Sequence, residues 1–211
     1  MEISMIANLS ELLEQSSSRH SHLCPRQVLG VRMGLAGLDI LGVKAPITKF
    51  NALVIVETDS CFADGIEVST GATIGHRTLR VNDLGKIAAT FVNVKTGHSV
   101  RISPALDVRQ RALLYAPREK RHYFAQLEGY QIMPEQELFR FQEVTLQPSL
   151  DAILSRPGML VKCSNCGEEI INEREIFVDN KILCRTCASQ GYYLTSCRPV
   201  IAYENLSARK A

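Results

Sequence analysis

Four cysteines near the C-terminus constrain the fold of this chain more than any other feature. They form two C-x-x-C pairs, Cys163 with Cys166 and Cys184 with Cys187, and seventeen residues separate the pairs. Each pair can place two sulfurs on one turn, and four thiolates complete the tetrahedral shell of a zinc ion. We therefore predict a structural zinc site. Iron suits the same thiolates, and a redox-active C-x-x-C is a weaker alternative because two pairs are present.

The residues between and after the two pairs predict the fold around the metal. The segment 175–183 has the composition of a β-hairpin that turns at Asp179-Asn180, and a short helical stretch through Gln190 follows the second pair. This layout resembles a treble-clef zinc finger. A segment with so few large apolar side chains needs a metal ion to fold. Its basic and acidic side chains balance, so we do not expect nucleic-acid binding.

The length and cysteine content of the chain indicate its organisation and compartment. Its 211 residues suffice for one domain with a sizeable core and a small appendage. Arg156-Pro157-Gly158 interrupts every periodic pattern, and we therefore predict a core domain over residues 1–155 and a zinc-finger domain over residues 156–211. Seven cysteines, an odd number, favour metal binding in a reducing cytoplasm over a disulfide framework. No apolar run is long enough to span a bilayer, and the first residues do not form a secretory signal.

Hydrophobic patterns in the core domain predict mainly helices with a few strands. Helices are predicted at residues 6–18, 25–41, 60–69 and 107–128, with a new helix starting at Pro117 and a short one after Pro134. Strands are predicted at residues 50–56, 79–81, 86–94, 98–102 and 143–146. This composition indicates an α+β fold with a largely antiparallel sheet. Glycines 30, 34, 37 and 42 suggest that another backbone passes close to the second helix.

Two stretches of the core domain contain ligands typical of a metal or thiol site. The first is His20-Ser21-His22-Leu23-Cys24-Pro25, where the proline marks the first residue of a helix and Cys24 its N-cap. The second contains Cys61, also beside a predicted helix start. The unsatisfied N–H groups at a helix start stabilise a thiolate, so we expect two activated thiols. We predict that the two stretches meet in space.

The predicted core site would bind a transition metal through His22, Cys24 and Cys61. Water, substrate, His20 or Asp64 would take the fourth position. His22, Cys24, Cys61 and Asp64 are also the candidate catalytic residues, with the carboxylate as an acid–base group or as the partner of a metal-bound histidine. The alternative is that the cysteines only fill space in the core and the histidines have no role.

Four spaced motifs in this order resemble those of the formylmethanofuran dehydrogenase E-subunit family. They are His20-x-His22-x-Cys24-Pro25 followed by Gly30, Glu57-Thr58-x-x-Cys61-x-x-Asp64, Gly71-x-Thr73-x-Gly75 and Asp83-x-Gly85-Lys86. The resemblance implies an α+β core, commonly a homodimer, in some members with a C-terminal treble-clef finger. It implies that His22, Cys24 and Cys61 share a cleft. The family usually has glycine where Arg26 stands, and an arginine there favours an anionic ligand or narrows access.

These observations lead to one leading hypothesis and two alternatives. The chain is predicted to be a cytoplasmic homodimer that binds structural zinc in its finger and a second transition metal in its core. The resemblance alone implies a molybdenum- or tungsten-dependent one-carbon enzyme complex as partner. The first alternative is a metal chaperone or assembly factor that handles an ion without turnover. The second is an adaptor, in which the finger binds a partner and the core is only a scaffold.

Overall fold

A computed structural model describes residues 2–47 and 50–193, with side chains from residue 9 onward. The chain divides into two compact units, Met1–Leu150 and Asp151–Ala211. The predicted boundary at Arg156 lies between the last helix and the first strand of the second unit. Within the described residues, no helix combines the length and the apolar content needed to cross a membrane.

The first unit contains six helices and five strands in its described part. The helices are α1 Glu2–Ser17, α2 Pro25–Leu41, α3 Cys61–Thr70, α4 Val108–Tyr115, α5 His122–Ile132 and α6 Glu135–Leu138. The strands are β1 Ala52–Val56, β2 Leu79–Val81, β3 Ala89–Asn93, β4 Ser99–Pro104 and β5 Phe139–Glu143. A further helix, α7 Leu150–Leu154, crosses the boundary between the units.

The five strands form one sheet in the order β2-β1-β3-β4-β5. All neighbouring strands are antiparallel except β1 and β2, which are parallel. Strand β1 lies inside the sheet, and every residue of it except Ile55 is buried. This burial explains its unbroken apolar sequence, because an inner strand covered on both faces needs no polar alternation. The predicted α+β fold with a largely antiparallel sheet is confirmed.

Helix α2 is the central helix of the unit and is buried over most of its length. It packs against α3 through glycines: a Cβ added to Gly30 would lie 2.2 Å from the carbonyl oxygen of Phe62. A Cβ added to Gly37 would lie 2.4 Å from the ring of Phe91 on β3. The predicted close approach of another backbone is therefore confirmed. The helix ends at Leu41, and its C-cap Gly42 has a φ of 63°, the left-handed conformation typical of that position.

Two predicted elements of the first unit begin elsewhere. Helix α5 starts at His122 rather than at Pro117, because the polar segment 117–121 forms the loop after α4. The last strand covers residues 139–143 rather than 143–146. Its register comes from pairing with β4, in which Phe141 lies opposite Ile102. Such long-range pairing leaves little local signal in a segment that directly follows a helix.

The second unit consists of two small hairpins in its described part. Strands β6 Leu160–Lys162 and β7 Glu169–Ile171 form the first, and β8 Ile176–Val178 and β9 Lys181–Leu183 form the second. The second hairpin turns at Asp179-Asn180, as predicted, with φ values of 47° and 58°. These values suit the turn type that best joins two antiparallel strands. Residues 185–189 form turns where the sequence predicted a helix.

Candidate functional site

The two cysteines of the core unit lie side by side although they are 37 positions apart in the chain. Cys24 is the N-cap of α2, with Pro25 as the first helical residue, and Cys61 is the first residue of α3. Because α2 and α3 pack closely, their starts meet and bring the two Sγ atoms to 3.1 Å. The structure therefore brings together the two stretches that the sequence predicted to meet.

A buried glutamine holds Cys24 in this place. The Cys24 N–H donates to Gln27 Oε1 at 2.9 Å, which is one half of a helix capping box. The other end of the amide, Nε2, donates to the carbonyl oxygen of Ser16 at 2.8 Å. Gln27 thus joins the end of α1 to the start of α2. Our sequence reasoning missed this residue, although a glutamine three positions after an N-cap is a recognisable signal.

The two histidines of the first motif have different surroundings. His20 Nε2 lies 2.6 Å from Asp64 Oδ2, in the first turn of α3, and both side chains are partly exposed. The hydroxyl of Ser21 lies 3.0 Å from His22 Nδ1, and His22 lines the same cavity as the two sulfurs. Of the five predicted site residues, Cys24 thus pairs with Cys61 and His20 with Asp64. His22 lines the cavity. Within the described residues, no group of three or more potential ligand atoms comes together in the core.

Burial dominates the chemistry of the Cys61 thiol. Burial first and the hydrogen bond with Cys24 second raise the pKa of Cys61, the positive charge of Arg26 lowers it, and the net pKa is about 11. We expected the start of α3 to activate this thiol. That expectation is wrong for Cys61, because the loss of hydration on burial is the largest influence on its pKa and raises it. Cys61 is therefore a neutral thiol at neutral pH.

A cavity of about 640 Å³ opens beside the two sulfurs. Its wall combines the starts of α2 and α3, the end of β4 with the loop to α4, and one face of α5. Arg26 and Arg109 contribute the charged groups of this wall, and Tyr123 and Tyr130 contribute aromatic rings. The sequence motifs pointed only to the α2 and α3 side. The opposite wall has no motif that could have revealed it.

The four cysteines of the second unit form a separate cluster. Their sulfurs all lie within 4.8 Å of one another, and Cys166 and Cys184 Sγ atoms are 3.9 Å apart. Two sulfurs bound to one tetrahedral zinc ion lie about 3.8 Å apart, given zinc–sulfur bonds of about 2.3 Å. The backbone N–H of Cys184 donates to Cys163 Sγ at 3.3 Å, and the Asn165 side chain donates to Cys187 Sγ at 3.3 Å.

These donors make the cluster suitable for a metal ion such as zinc. Hydrogen bonds from the backbone N–H groups of Cys166 and Cys184 lower the pKa of Cys163 to about 6, so one thiolate forms readily. Gly167, with φ of 76°, allows the tight turn after the first pair. The chelating spacing predicted from the two C-x-x-C pairs is therefore present. Cys197 lies outside the described residues.

A family model described as "FmdE, Molybdenum formylmethanofuran dehydrogenase operon" matches residues 19–157. The chain belongs to the FmdE family. The matched region contains the core cysteines and the cavity wall, whereas the four-cysteine cluster lies beyond it. The family resemblance predicted from the four sequence motifs is thereby confirmed.

Two relatives of this FmdE-family chain extend the comparison. The crystal structure of a tungsten formylmethanofuran dehydrogenase FmdE-like protein from Syntrophus aciditrophicus superposes with a TM-score of 0.55. It covers 88% of this chain and 95% of its own, at 19% sequence identity, which establishes a shared fold. A curated protein from Archaeoglobus fulgidus, described as a probable S-adenosyl-L-methionine-binding protein, is 28% identical over 94% of this chain. The chain spans 58% of the length of that relative.

Proposed function

We propose that this FmdE-family protein binds a transition metal ion in its core through Cys24, Cys61 and His22, with zinc in the four-cysteine site. The observation that supports the core site is the contact between two sulfurs at the wall of an open cavity, 3.1 Å apart. That separation is about 0.7 Å shorter than two sulfurs on one tetrahedral ion require. A small side-chain rotation of either cysteine reaches the chelating spacing. His22 lines the same cavity and is the proposed third ligand.

An ion held in this way would keep a coordination position open to the cavity. A bound transition metal polarises an oxygen or nitrogen of a small molecule that enters there. Asp64, already paired with His20 at 2.6 Å, stands ready to orient that imidazole or to exchange a proton. For the second unit we propose a treble-clef zinc finger with a structural ion. A homodimer and a molybdenum or tungsten enzyme complex as partner are proposals supported by the family alone.

The metal content of matched cysteine variants tests this proposal. Wild-type protein purified without added metal is expected to contain two ions per chain by elemental analysis. Cys24→Ser should lose one of them, and Cys163→Ser should lose the other. Cys197→Ser is the control, because Cys197 lies outside both C-x-x-C pairs and outside the Cys24 and Cys61 motifs in the sequence. Wild-type protein that holds only one ion per chain, and keeps it in Cys24→Ser, would contradict the core site and favour an adaptor role for the finger.

The exchange rate of the core ion distinguishes a catalytic role from a role in metal transfer. A catalytic ion is held tightly and remains bound during dialysis against a weak chelator. A chaperone or assembly factor releases its ion to the same chelator within minutes while the zinc of the finger stays bound. The four-cysteine site is the internal reference in this measurement, because its four ligands already have the spacing of a closed structural site.

S-adenosylmethionine binding is a second candidate function, favoured by the description of the curated relative. The cavity volume of about 640 Å³ suits a ligand of this size, and Tyr123 offers a ring on which adenine can stack. Calorimetric titration of wild type and Tyr123→Ala with S-adenosylmethionine tests this candidate. Binding that weakens in the variant supports it, and the absence of binding by wild type rejects it.

A further inference from the structure

We infer that the core cavity binds an organic anion, with Arg26 and Arg109 holding its carboxylate or phosphate group and the apolar wall holding its body. The inference concerns the cavity of the proposed metal site. It depends on Arg26 and Arg109 rather than on the proposed metal ligands, however, and it can therefore be tested separately from the metal.

The first argument is the charge of the cavity wall. Two arginines line the cavity, and none of the lining residues is Asp or Glu. A concave site with cationic side chains and no carboxylates attracts an anion, because its low-dielectric walls concentrate the field.

The second argument is that both arginines are free to bind a ligand. Arg26 lies in the first turn of α2 and Arg109 in the first turn of α4, and both are exposed. Across the described part of the chain, no hydrogen bond or ion pair joins either guanidinium to an acidic side chain. Arg111, on the same helix as Arg109, is by contrast paired with Asp107 at 2.7 Å. The cavity arginines have no such partner to release before they bind an anion.

The third argument is that both arginines line the same cavity from different helices. Arg26 does so from the first turn of α2 and Arg109 from the first turn of α4. The charge of Arg109 also acts on the cavity wall, because it opposes the rise in the pKa of Tyr130 that burial causes. Both guanidinium groups therefore face one cavity.

The remaining wall indicates what the rest of the ligand is like. Apolar side chains form most of it, among them Leu29, Ile87, Pro104 and Val108. A volume of about 640 Å³ is within the usual range of about 300–1,000 Å³ for small-molecule sites. A guanidinium binds carboxylate and phosphate oxygens through two parallel hydrogen bonds. The ligand class is therefore a small apolar or aromatic molecule with one such group.

Three naphthalene compounds that differ only in their head group test the inference by calorimetric titration. They are 1-naphthoate, 1-naphthyl phosphate and neutral 1-naphthamide. We expect wild type to bind at least one of the anions at least about tenfold more tightly than the amide, a gain of about 1.4 kcal/mol. The anion that binds more tightly shows whether the site prefers a carboxylate or a phosphate. Equal binding of the amide, or no binding of either anion at millimolar concentration, would overturn the inference.

Matched variants show whether the arginines are responsible. Arg26→Gln combined with Arg109→Gln should abolish the preference for the anion and leave amide binding unchanged. Lys95→Gln also removes a positive charge, but at the β3–β4 turn, whereas the opposite end of that hairpin contributes Ile87 and Pro104 to the cavity. This control should keep the full preference. A preference that persists in the double variant would contradict the inference.

Two further measurements keep the outcome interpretable. Thermal unfolding of each variant confirms that it is folded. The double variant Arg26→Lys, Arg109→Lys should retain part of the preference for the anion, because both positive charges remain.

The titrations are repeated on Cys24→Ser. An anion preference that survives in this variant, while its metal content falls, shows that the two proposals concern separate groups. If Cys24→Ser loses its metal but wild type shows no preference for the anion, only the anion-binding inference is rejected and the metal site remains supported.

Discussion

Gly30 of α2 lies directly against Gly65 of α3: a Cβ added to Gly30 would stand 3.1 Å from the Cα of Gly65. A Cβ added to Gly65 would in turn lie 2.5 Å from the carbonyl oxygen of Gln27. Only glycine permits two helix backbones to approach so closely. Both helices begin at the same end of this contact, where Cys24, the N-cap of α2, and Cys61, the first residue of α3, have their sulfurs 3.1 Å apart. The glycine contact is therefore the structural cause of the paired thiols.

Replacing Gly30 with alanine should destabilise the core and separate the two cysteines. The added methyl would overlap the Phe62 carbonyl oxygen, 2.2 Å away, which is backbone and cannot rotate aside. We expect a loss of about 2–3 kcal/mol in the free energy of unfolding, partly offset by the better helix propensity of alanine. Denaturant unfolding measures the change. Gly75→Ala is the control, since nothing lies within 4 Å of its Cβ position and a change within about 0.5 kcal/mol is expected.

Removing Arg101 should leave a buried carboxylate without its partner. Arg101 Nε and Nη2 donate to the two oxygens of Glu57 at 2.6 and 2.8 Å, and Glu57 is only 7% exposed. We expect Arg101→Met to lower the free energy of unfolding by about 2–3 kcal/mol, less than for a fully buried pair because Arg101 is partly solvated. Arg111→Met, which breaks an exposed pair with Asp107, should have little effect. Equal losses in the two variants would contradict this account.

Cys61 should react slowly with alkylating reagents in the metal-free protein. Because its pKa is raised from 9.0 to about 11, the thiolate fraction at pH 8 falls about 100-fold. The rate of iodoacetamide modification, followed by peptide mass spectrometry, should level off near pH 11. Cys24→Ser removes a hydrogen bond that raises this pKa and should shift the profile to lower pH. A wild-type profile that levels off at or below pH 9 would show that burial does not control this thiol.

The same pKa shift predicts how stability changes with pH. A folded-state pKa raised above the unfolded value means that folding favours the neutral thiol. The contribution of Cys61 to stability is therefore complete below about pH 9 and is lost as the pH rises towards about 11. Unfolding of wild type and Cys61→Ala across this range measures the difference. Two curves that run parallel from pH 8 to pH 11 would rule out the predicted contribution.

Chelation should unfold the second unit and leave the first intact. The second unit has two short hairpins and few buried apolar side chains in its described part, of which Ile170 is one. A segment of this kind depends on its metal for folding. With a strong chelator, or in Cys184→Ser, limited proteolysis should cut within residues 156–193 while residues 9–143 resist. Equal resistance of the four-cysteine segment with and without chelator would show that the metal is not structural.

The local features of this protein follow from its sequence alone. The start of α2 at Pro25, the turn at Asp179-Asn180 and the four-cysteine cluster were all predicted correctly. Each depends on residues close together in the chain, where proline geometry, turn preference or C-x-x-C spacing has a direct physical meaning. The meeting of Cys24 with Cys61 was also predicted, from two helix starts with similar ligands.

Only the tertiary structure decided how the core site is built. It paired His20 with Asp64 across 44 residues, kept the Cys61 thiol protonated through burial, and placed Arg109 on the cavity wall. It also set the register of β5, which the sequence placed too late. The physical reason is the same in each case: burial and cross-chain contacts depend on how distant segments pack, and no local pattern encodes the surface that a segment will meet.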